Sequence, residues 1–392
     1  MKVDTMKSLV MSGILISLVL TGCSTYRPPL PAEHETLGII PGLEDTRFWG
    51  DVALYDSKPL MAEIRKQILA TDPEELQRPQ YVLAISGGGQ NGAFGAGLLN
   101  GWTAKGDRPS FRMVTGISTG AIIAPFAFLG ADYDLALKEL YSKYPTKEVL
   151  NKSILSGIFG GEALADSKPM LGLIAKYLDN EAIERIAIEH NKGRRLYVGT
   201  TNMDALRPVI WDIGAIAASD HPDRADIIHR VILASASIPG AFPPVYFDVE
   251  KNGVQYNELH QDGGVGNQIF ISPASHSPRV EFDMVGFTGP CSIYMIRNSV
   301  TRTDWDLVKP TAYSLVGASV GGLTRNQGNA NMYVIYLQAK NDNMACYSAK
   351  IPSDFSATPT EAFDTVYMSE LFDFAYNKSI KGEIWKTPTL QQ

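Results

Sequence analysis

Apolar positions along this chain fall into two alternating patterns: short unbroken runs, and longer stretches spaced for one helical face. Tyr81–Ile85 is an unbroken run and predicts a strand covered on both sides. Ala93–Trp102, with small residues on one face, predicts the helix that follows it. Phe111–Thr115 repeats the strand pattern, and Thr119–Leu129 predicts a second helix, rich in small residues and interrupted by Pro125, where a kink is expected. Asp132 reads as the cap of a helix running to Tyr144 and stopped by Pro145. Further along, Ser167 or Asp166 caps a predicted helix to Leu178, and Asn180 caps another to His190 that Gly193 ends. Arg195–Thr201 and Pro208–Trp211 predict strands, and Asp226–Ser237 a helix. Upstream, Leu60, Ile64, Ile68 and Leu69 sit at helical spacing within Asp56–Leu76. In the last third, Ser292–Arg297 and Met332–Leu337 predict strands. Thr360–Lys378 predicts a terminal helix with Phe363, Val366, Leu371 and Phe374 on one face. The segment Ser153–Pro169 mixes glycines with apolar residues and reads either as a loop packed on the core or as a flap over a substrate mouth. Strands alternating with helices point to an α/β fold.

Composition changes this picture mainly at the N-terminus. The chain has 392 residues, 45% hydrophobic and 20% charged, ordinary values for a globular protein with a large core. Lys2 and Lys7 precede an apolar run, Ser8–Leu20, too short to span a bilayer. The run ends in Leu20-Thr21-Gly22-Cys23, which looks like a bacterial lipoprotein cleavage box, and processing there makes Cys23 a lipidated first residue. Ser24 rather than an aspartate follows, which favours the periplasmic face of the outer membrane. Removing residues 1–22 takes away Lys2, Lys7 and Asp4 and leaves 33 basic and 41 acidic residues, net −8. An acidic body argues against nucleic acid and against electrostatic docking on anionic lipid, so membrane attachment falls to Cys23. Prolines 28, 29, 31 and 41 make the next segment an extended spacer. Cys291 and Cys346 remain, free to pair in an oxidising compartment or to stay as two buried thiols; their spacing fits no metal site.

The candidate chemistry sits where strand patterns give way to helical ones. Thr115-Gly116-Ile117-Ser118-Thr119-Gly120 is Gly-x-Ser-x-Gly in a strand–turn–helix setting. A serine hydroxyl becomes a nucleophile when such a turn holds it exposed beside a base. Thirty-one residues earlier, Ser86-Gly87-Gly88-Gly89-Gln90-Asn91-Gly92 opens a helix with consecutive glycines, whose N–H groups can turn towards an anion. That anion is the oxyanion of acyl transfer or a nucleotide phosphate. A P-loop would close on Lys-Ser/Thr, and here Gly92-Ala93 follows; Asp107 lies close enough to the distance of a dinucleotide acid that spacing alone leaves the second reading open. Asp262-Gly263-Gly264, after Val254-Gln255-Tyr256-Asn257, reads as a carboxylate at a strand end or as a plain Asp-Gly turn. Among the six histidines, His260 and His276 are the ones that could join Ser118 and Asp262 in a triad.

These motifs, taken in order, resemble the patatin-like phospholipases. The segment Ala234-Ser235-Ala236-Ser237-Ile238-Pro239-Gly240-Ala241-Phe242-Pro243-Pro244 is also similar to the stretch that family carries before its aspartate. The resemblance covers about half the chain. It implies a three-layer α/β/α fold with a mainly parallel central sheet, and a metal- and cofactor-free hydrolase of lipid acyl esters. It also implies Ser118 as nucleophile, Asp262 as base, and Gly87, Gly88 and Gly89 as oxyanion donors, with Thr119 contributing a further N–H. Gly92, Gly116, Gly120, Gly263 and Gly264 complete the motifs. One departure stands out: many members carry a basic residue where this chain has Asn91. With that substitution the alternative is an inactive, tethered lipid-binding lipoprotein. The organisation expected is a leader over 1–22, a lipidated tether over 23–50, a helical extension over 51–80, the catalytic region over 81–273, and an extension over 274–392 packed on the same domain.

Overall fold

The structure is a computed structural model that describes residues 28–32, 37–52, 57–152, 165–273, 277–300 and 307–388. The leader, Cys23, the greater part of the glycine-rich 153–169 segment and His276 lie outside the described residues.

One nine-stranded mixed sheet organises the chain. Its strands are β1 (Arg47–Trp49), β2 (Gln80–Ile85), β3 (Met113–Ile117), β4 (Arg195–Asn202), β5 (Arg207–Asp212), β6 (Val245–Lys251), β7 (Val254–Asp262), β8 (Cys291–Arg297) and β9 (Ala345–Lys350). The order is β1-β5-β4-β3-β2-β8-β9, with β4-β3-β2-β8-β9 all parallel and β5 and β1 antiparallel at one edge. The hairpin β6–β7 joins through β7, which pairs antiparallel with the end of β4. The unbroken apolar run of β2 follows from its place in the middle. Leu83 and Ile85 pack on one face, Val82 and Ala84 on the other, so neither set can be polar.

Among the described residues, eleven helices of six residues or more cover those two faces: α1 (Lys58–Thr71), α2 (Gly92–Lys105), α3 (Thr119–Leu129), α4 (Asp134–Ser142), α5 (Lys168–Tyr177), α6 (Asn180–Asn191), α7 (Ile213–Ala218), α8 (Arg224–Ser235), α9 (Pro278–Val285), α10 (Ala312–Asn341) and α11 (Thr365–Ile380). Helices α2 to α8 and α11 build the large core with Leu83 and Ile85. Helices α1, α9 and α10 cover the opposite face with Met61, Ile64, Phe282 and Ile335. This is a three-layer α/β/α architecture. The C-terminal part of the chain is built into the same sheet, since β8 pairs with β2 over six residues.

Several expectations are corrected. Met332–Leu337 is not a strand but part of α10. Its β-prone residues are overridden by packing, because Ile335 and Ala339, one helical turn apart, are the buried positions. The edge strand lies further on at β9, whose small and polar residues carry little apolar signal. Helix α1 stops at Thr71, leaving Leu69 exposed, whereas α3 spans Thr119–Leu129 through Pro125 as expected. Helix α6 is capped by Asp179, whose carboxylate accepts from the Ala182 N–H at 3.0 Å, one residue before the expected cap. Helix α4 starts at Asp134 rather than Asp132, which instead pairs with Arg185. The buried face of α11 is Tyr367, Leu371 and Ala375, with Val366 facing solvent. Cys291 and Cys346 are buried free thiols; the parallel register sets Cys346 opposite Ile293, not opposite Cys291.

Beneath the β6–β7 hairpin lies a buried polar cluster. Glu258 accepts from Arg47 at 2.6 Å and from His260 Nε2 at 3.1 Å. The His260 Nδ1 faces Thr200 Oγ1 at 2.9 Å, and Trp211 donates to that same oxygen at 2.8 Å. Burial alone would raise the Glu258 carboxyl, but the His260 and Arg47 partners hold it down at about 2. Glu258→Ala would strand the Arg47 guanidinium without its counter-ion, and we expect a loss of about 3–5 kcal/mol in unfolding free energy. Denaturant titration at pH 7 measures it; a loss under 1 kcal/mol would mean the cluster contributes nothing to stability.

Candidate active site

Ser118 and Asp262 meet because two strands share one lane of the sheet. β3 runs beside β4 up to the pair Ile117–Gly199 and ends there. β7 arrives from the opposite direction beside the same strand, and its last pair is Asp262–Thr200. The two strand ends therefore abut, and the residues at the junction face each other. Ser118 Oγ donates to Asp262 Oδ2 at 2.8 Å. The dyad joins positions 144 apart in sequence.

The serine occupies a strained turn. Its backbone has φ 55° and ψ −123°, a conformation side chains rarely adopt. Gly116 and Gly120 make the turn possible, since a Cβ at either would run into the backbone of Gly120 or of Ile85. The Ser118 N–H is held by Ser235 Oγ at 2.9 Å, and that hydroxyl donates onward to the Gly199 carbonyl at 2.6 Å. Asp262 is fixed equally firmly. Its Oδ1 accepts from the Gly264 N–H at 2.7 Å, its N–H donates to the Ser237 carbonyl, and its own carbonyl accepts from Thr201. Gly263 packs tightly against the Gly199 carbonyl. Burial pushes the Asp262 carboxyl up to about 6, while the bonds from Gly264 and Ser118 pull it the other way.

The glycine loop lies above the dyad. Gly87 sits closest, where a Cβ would stand 3.1 Å from that of Ser118. Its N–H, however, already donates to the Gln268 carbonyl at 3.2 Å, which removes it from the expected donor set. The N–H groups of Gly88, Gly89 and Thr119 have no partner among the described residues and lie at the N-terminal ends of α2 and α3. Gly92 packs against Thr119 and Tyr141. Asn298, just past β8, holds the loop from behind: its N–H donates to Ser86 Oγ and its Nδ2 to the Ser86 carbonyl, both at 2.9 Å. Its Oδ1 accepts from the Gly95 N–H, and its carbonyl packs so close to Gly88 that a Cβ there has no room. The Asn91 side chain accepts from Tyr367 of α11 at 2.7 Å. It fastens the helical layer where a basic residue was expected.

The hydroxyl of Ser118 opens onto a cleft walled by Ile122, Tyr141, Tyr144, Met170, Ile174 and Phe242. The walls are almost wholly apolar, and the few polar groups gather at the dyad. The Tyr141 hydroxyl is bonded to Thr119. No histidine among the described residues bonds to Asp262. His260 is committed to Glu258 and Thr200. Asp107 lies beyond the end of α2 and pairs with Lys105, far from the role of a ribose acid.

Sequence reasoning singled out Ser118, Asp262 and the glycine loop, which the structure brings together. It missed Asn298, Gln268 and Ser235. Ser235 lay inside a segment noted for its similarity, but nothing in the sequence said that its hydroxyl would hold the Ser118 amide.

Comparison with known proteins fits this geometry. Residues 83–275 match the patatin-like phospholipase family. Two solved structures show distant likeness. VipD from Legionella pneumophila is 12% identical with a TM-score of 0.37, the match covering 78% of this chain and 67% of VipD. A chain of the SpcU–ExoU complex from the type III secretion system of Pseudomonas aeruginosa is 16% identical with a TM-score of 0.22, covering 78% of this chain and 52% of that one. This chain thus spans about half the length of the latter. No curated protein matches the sequence significantly.

Proposed function

Residues 83–275 are a patatin-like phospholipase domain, and from that premise we propose that the protein hydrolyses lipid acyl esters through Ser118 and Asp262, without a histidine. The observation that carries this reading is the 2.8 Å bond to a buried carboxylate from the hydroxyl of Ser118, which lines an apolar cleft.

Asp262 Oδ2 takes the hydroxyl proton as Ser118 Oγ attacks the ester carbonyl carbon. Burial that raises the carboxyl to about 6 also makes its ionised form a stronger base than an exposed aspartate, yet leaves it charged at neutral pH. The developing oxyanion is met by the unpartnered N–H groups of Gly88, Gly89 and Thr119. Asp262 then returns its proton to the departing alkoxide, and the acyl group stays on Ser118. Water, deprotonated by the same carboxylate, attacks the acyl-enzyme; the acyl–Oγ bond breaks, the acid is released, and Asp262 returns the proton to Ser118 Oγ. The acyl chain lies along the apolar cleft, where burial favours long chains over short ones. No charged side chain is required at the oxyanion, which suits Asn91 in its structural role.

Incubating the full chain with mixed micelles of phospholipid, acylglycerol and p-nitrophenyl esters tests the reading. Released fatty acid, together with fluorophosphonate labelling at Ser118, supports it; absence of both overturns it. Gly88→Ala should displace the loop from Asn298 and lower kcat by about 10²-fold or more while the protein stays folded. Steady-state kinetics with circular dichroism measure this, and unchanged kcat would remove Gly88 from the donor set.

We further propose that Cys23 is lipidated and tethers the protein to the periplasmic face of the outer membrane, on the strength of the Leu20-Thr21-Gly22-Cys23 box alone. Mass spectrometry of the mature N-terminus tests it: a chain without diacylglycerol on Cys23 would end the proposal.

A further inference from the structure

Helix α10 is packed along only part of its length. From Gly328 onward its buried positions, Gly328, Ile335, Gln338 and Ala339, lie against the body. Before that point it carries Val316, Val320 and Leu323 at 63%, 56% and 71% exposure. Their i, i+4, i+7 spacing aligns them in one stripe, flanked by Leu315. Large apolar side chains gathered this way on a surface mark a place where something docks.

The charge pattern says what. The chain has 42 acidic residues, yet from Leu307 to Asn341 there is none. The charges in that span are Lys309, Arg325 and Lys340. Pro310–Thr324 is entirely uncharged and is bracketed by Lys309 and Arg325. The stripe is also joined to the candidate active site. Gln327 Nε2 donates to the Gly266 carbonyl at 2.7 Å, and Asn331 Oδ1 accepts from the Gln268 N–H at 2.9 Å. These contacts fasten α10 to the turn that follows Asp262. Val265, in that turn, is itself exposed.

We propose that the N-terminal half of α10 is the surface by which the protein docks on an anionic lipid bilayer. The choice of a lipid occupant rests on the lipid-hydrolase reading above. No helix among the described residues is long and apolar enough to cross a membrane, so α10 lies in the interface with its stripe among the acyl chains. Lys309 and Arg325 reach the phosphates at either side. The acidic remainder of the molecule is repelled by the same surface, which leaves one orientation favourable. A second copy is a poorer occupant, because pairing two such faces sets cations against cations with no carboxylate between them.

A local probe tests this without requiring turnover. In the full chain carrying Cys23→Ser, an environment-sensitive fluorophore is placed at Val320→Cys, and in a control at Lys66→Cys on the exposed side of α1. Cys291 and Cys346 are buried and do not compete for label. On phosphatidylglycerol-containing vesicles the probe at 320 is expected to shift to the blue and to be quenched by doxyl lipids at least fivefold more than the probe at 66. Equal quenching of the two on vesicle-bound protein overturns the proposal. So does shielding at 320 that grows with protein concentration in the absence of lipid, which assigns the face to a second copy. In parallel, Val316→Ser/Val320→Ser/Leu323→Ser is expected to cut hydrolysis of vesicle lipid at least tenfold and leave turnover of a soluble short-chain ester unchanged. Undiminished vesicle hydrolysis by this variant also overturns the proposal. If no form of the protein hydrolyses anything, the catalytic reading falls and the probe at 320 still decides the docking surface.

Discussion

Ser118→Ala is expected to lose lipid hydrolysis by about 10⁴-fold or more, together with all fluorophosphonate labelling. The size of the effect follows from the architecture. Ser118 Oγ is the only group in the turn that is both aimed into the cleft and bonded to a base, at 2.8 Å from Asp262. When a nucleophile and its base act as a unit, removing either forfeits most of the rate, and only the contribution of the oxyanion donors and of binding survives. The structure also separates this loss from any loss of fold. Alanine retains the Cβ that makes φ 55° costly, so the variant should unfold at nearly the wild-type temperature. Ser118→Gly relieves the strain and should be more stable than Ser118→Ala by about 1 kcal/mol. Differential scanning calorimetry of the two variants beside a fatty-acid release assay checks both halves. Labelling that persists in Ser118→Ala would move the nucleophile elsewhere.

Asp262→Asn should lose about 10⁴-fold in kcat, since an amide cannot take the serine proton. In the wild-type protein the dependence on pH should show the same group. The carboxyl is pushed up to about 6 by burial, so kcat/KM should fall on the acid side with a midpoint near pH 6. A limb near pH 4 would mean that the base is solvated or is another residue. Stability should move in the opposite direction to activity. The folded-state pKa lies above the unfolded aspartate value, so folding favours the protonated form. From pH 4 to pH 7 the group therefore lowers stability, by about 3 kcal/mol at 1.36 kcal/mol per unit. Asparagine keeps the acceptor for the Gly264 N–H and carries no charge. Asp262→Asn should accordingly be more stable than wild type at pH 7 by up to that amount, with the difference vanishing near pH 4. Denaturant midpoints at the two pH values measure it, and equal midpoints at pH 7 would contradict the burial argument.

The candidate site residues were legible because chemistry constrains residue type locally. Gly-x-Ser-x-Gly, the glycine loop and Asp262-Gly263-Gly264 each announce a turn with a purpose, and the alternating strands and helices around them announce a layered α/β fold. What brings Ser118 to Asp262 was not legible. It depends on β3 stopping at Gly199 and β7 stopping at Thr200 on the same neighbour, a matter of register between distant segments. Asn298 was invisible for the same reason: an asparagine after a strand has no special signature until β8 is known to lie beside β2. Met332–Leu337 shows the converse failure, an apolar run whose local preference is for a strand but whose buried residues recur one helical turn apart. The net negative charge, read over the whole chain, hid the acid-free span of α10, because an average carries no information about placement.

The abutting ends of β3 and β7 have a consequence for the life of the polypeptide. Synthesis delivers Ser118 long before Asp262, and under the proposed mechanism the hydroxyl lacks its base until the hairpin from β6 has been laid against β4. A nascent, truncated or partly unfolded molecule therefore carries an inert alcohol, and membranes it meets in transit are safe from it. Reaction with a fluorophosphonate then reports completed assembly as well as chemistry, and can serve as a gauge of folding yield in intact cells.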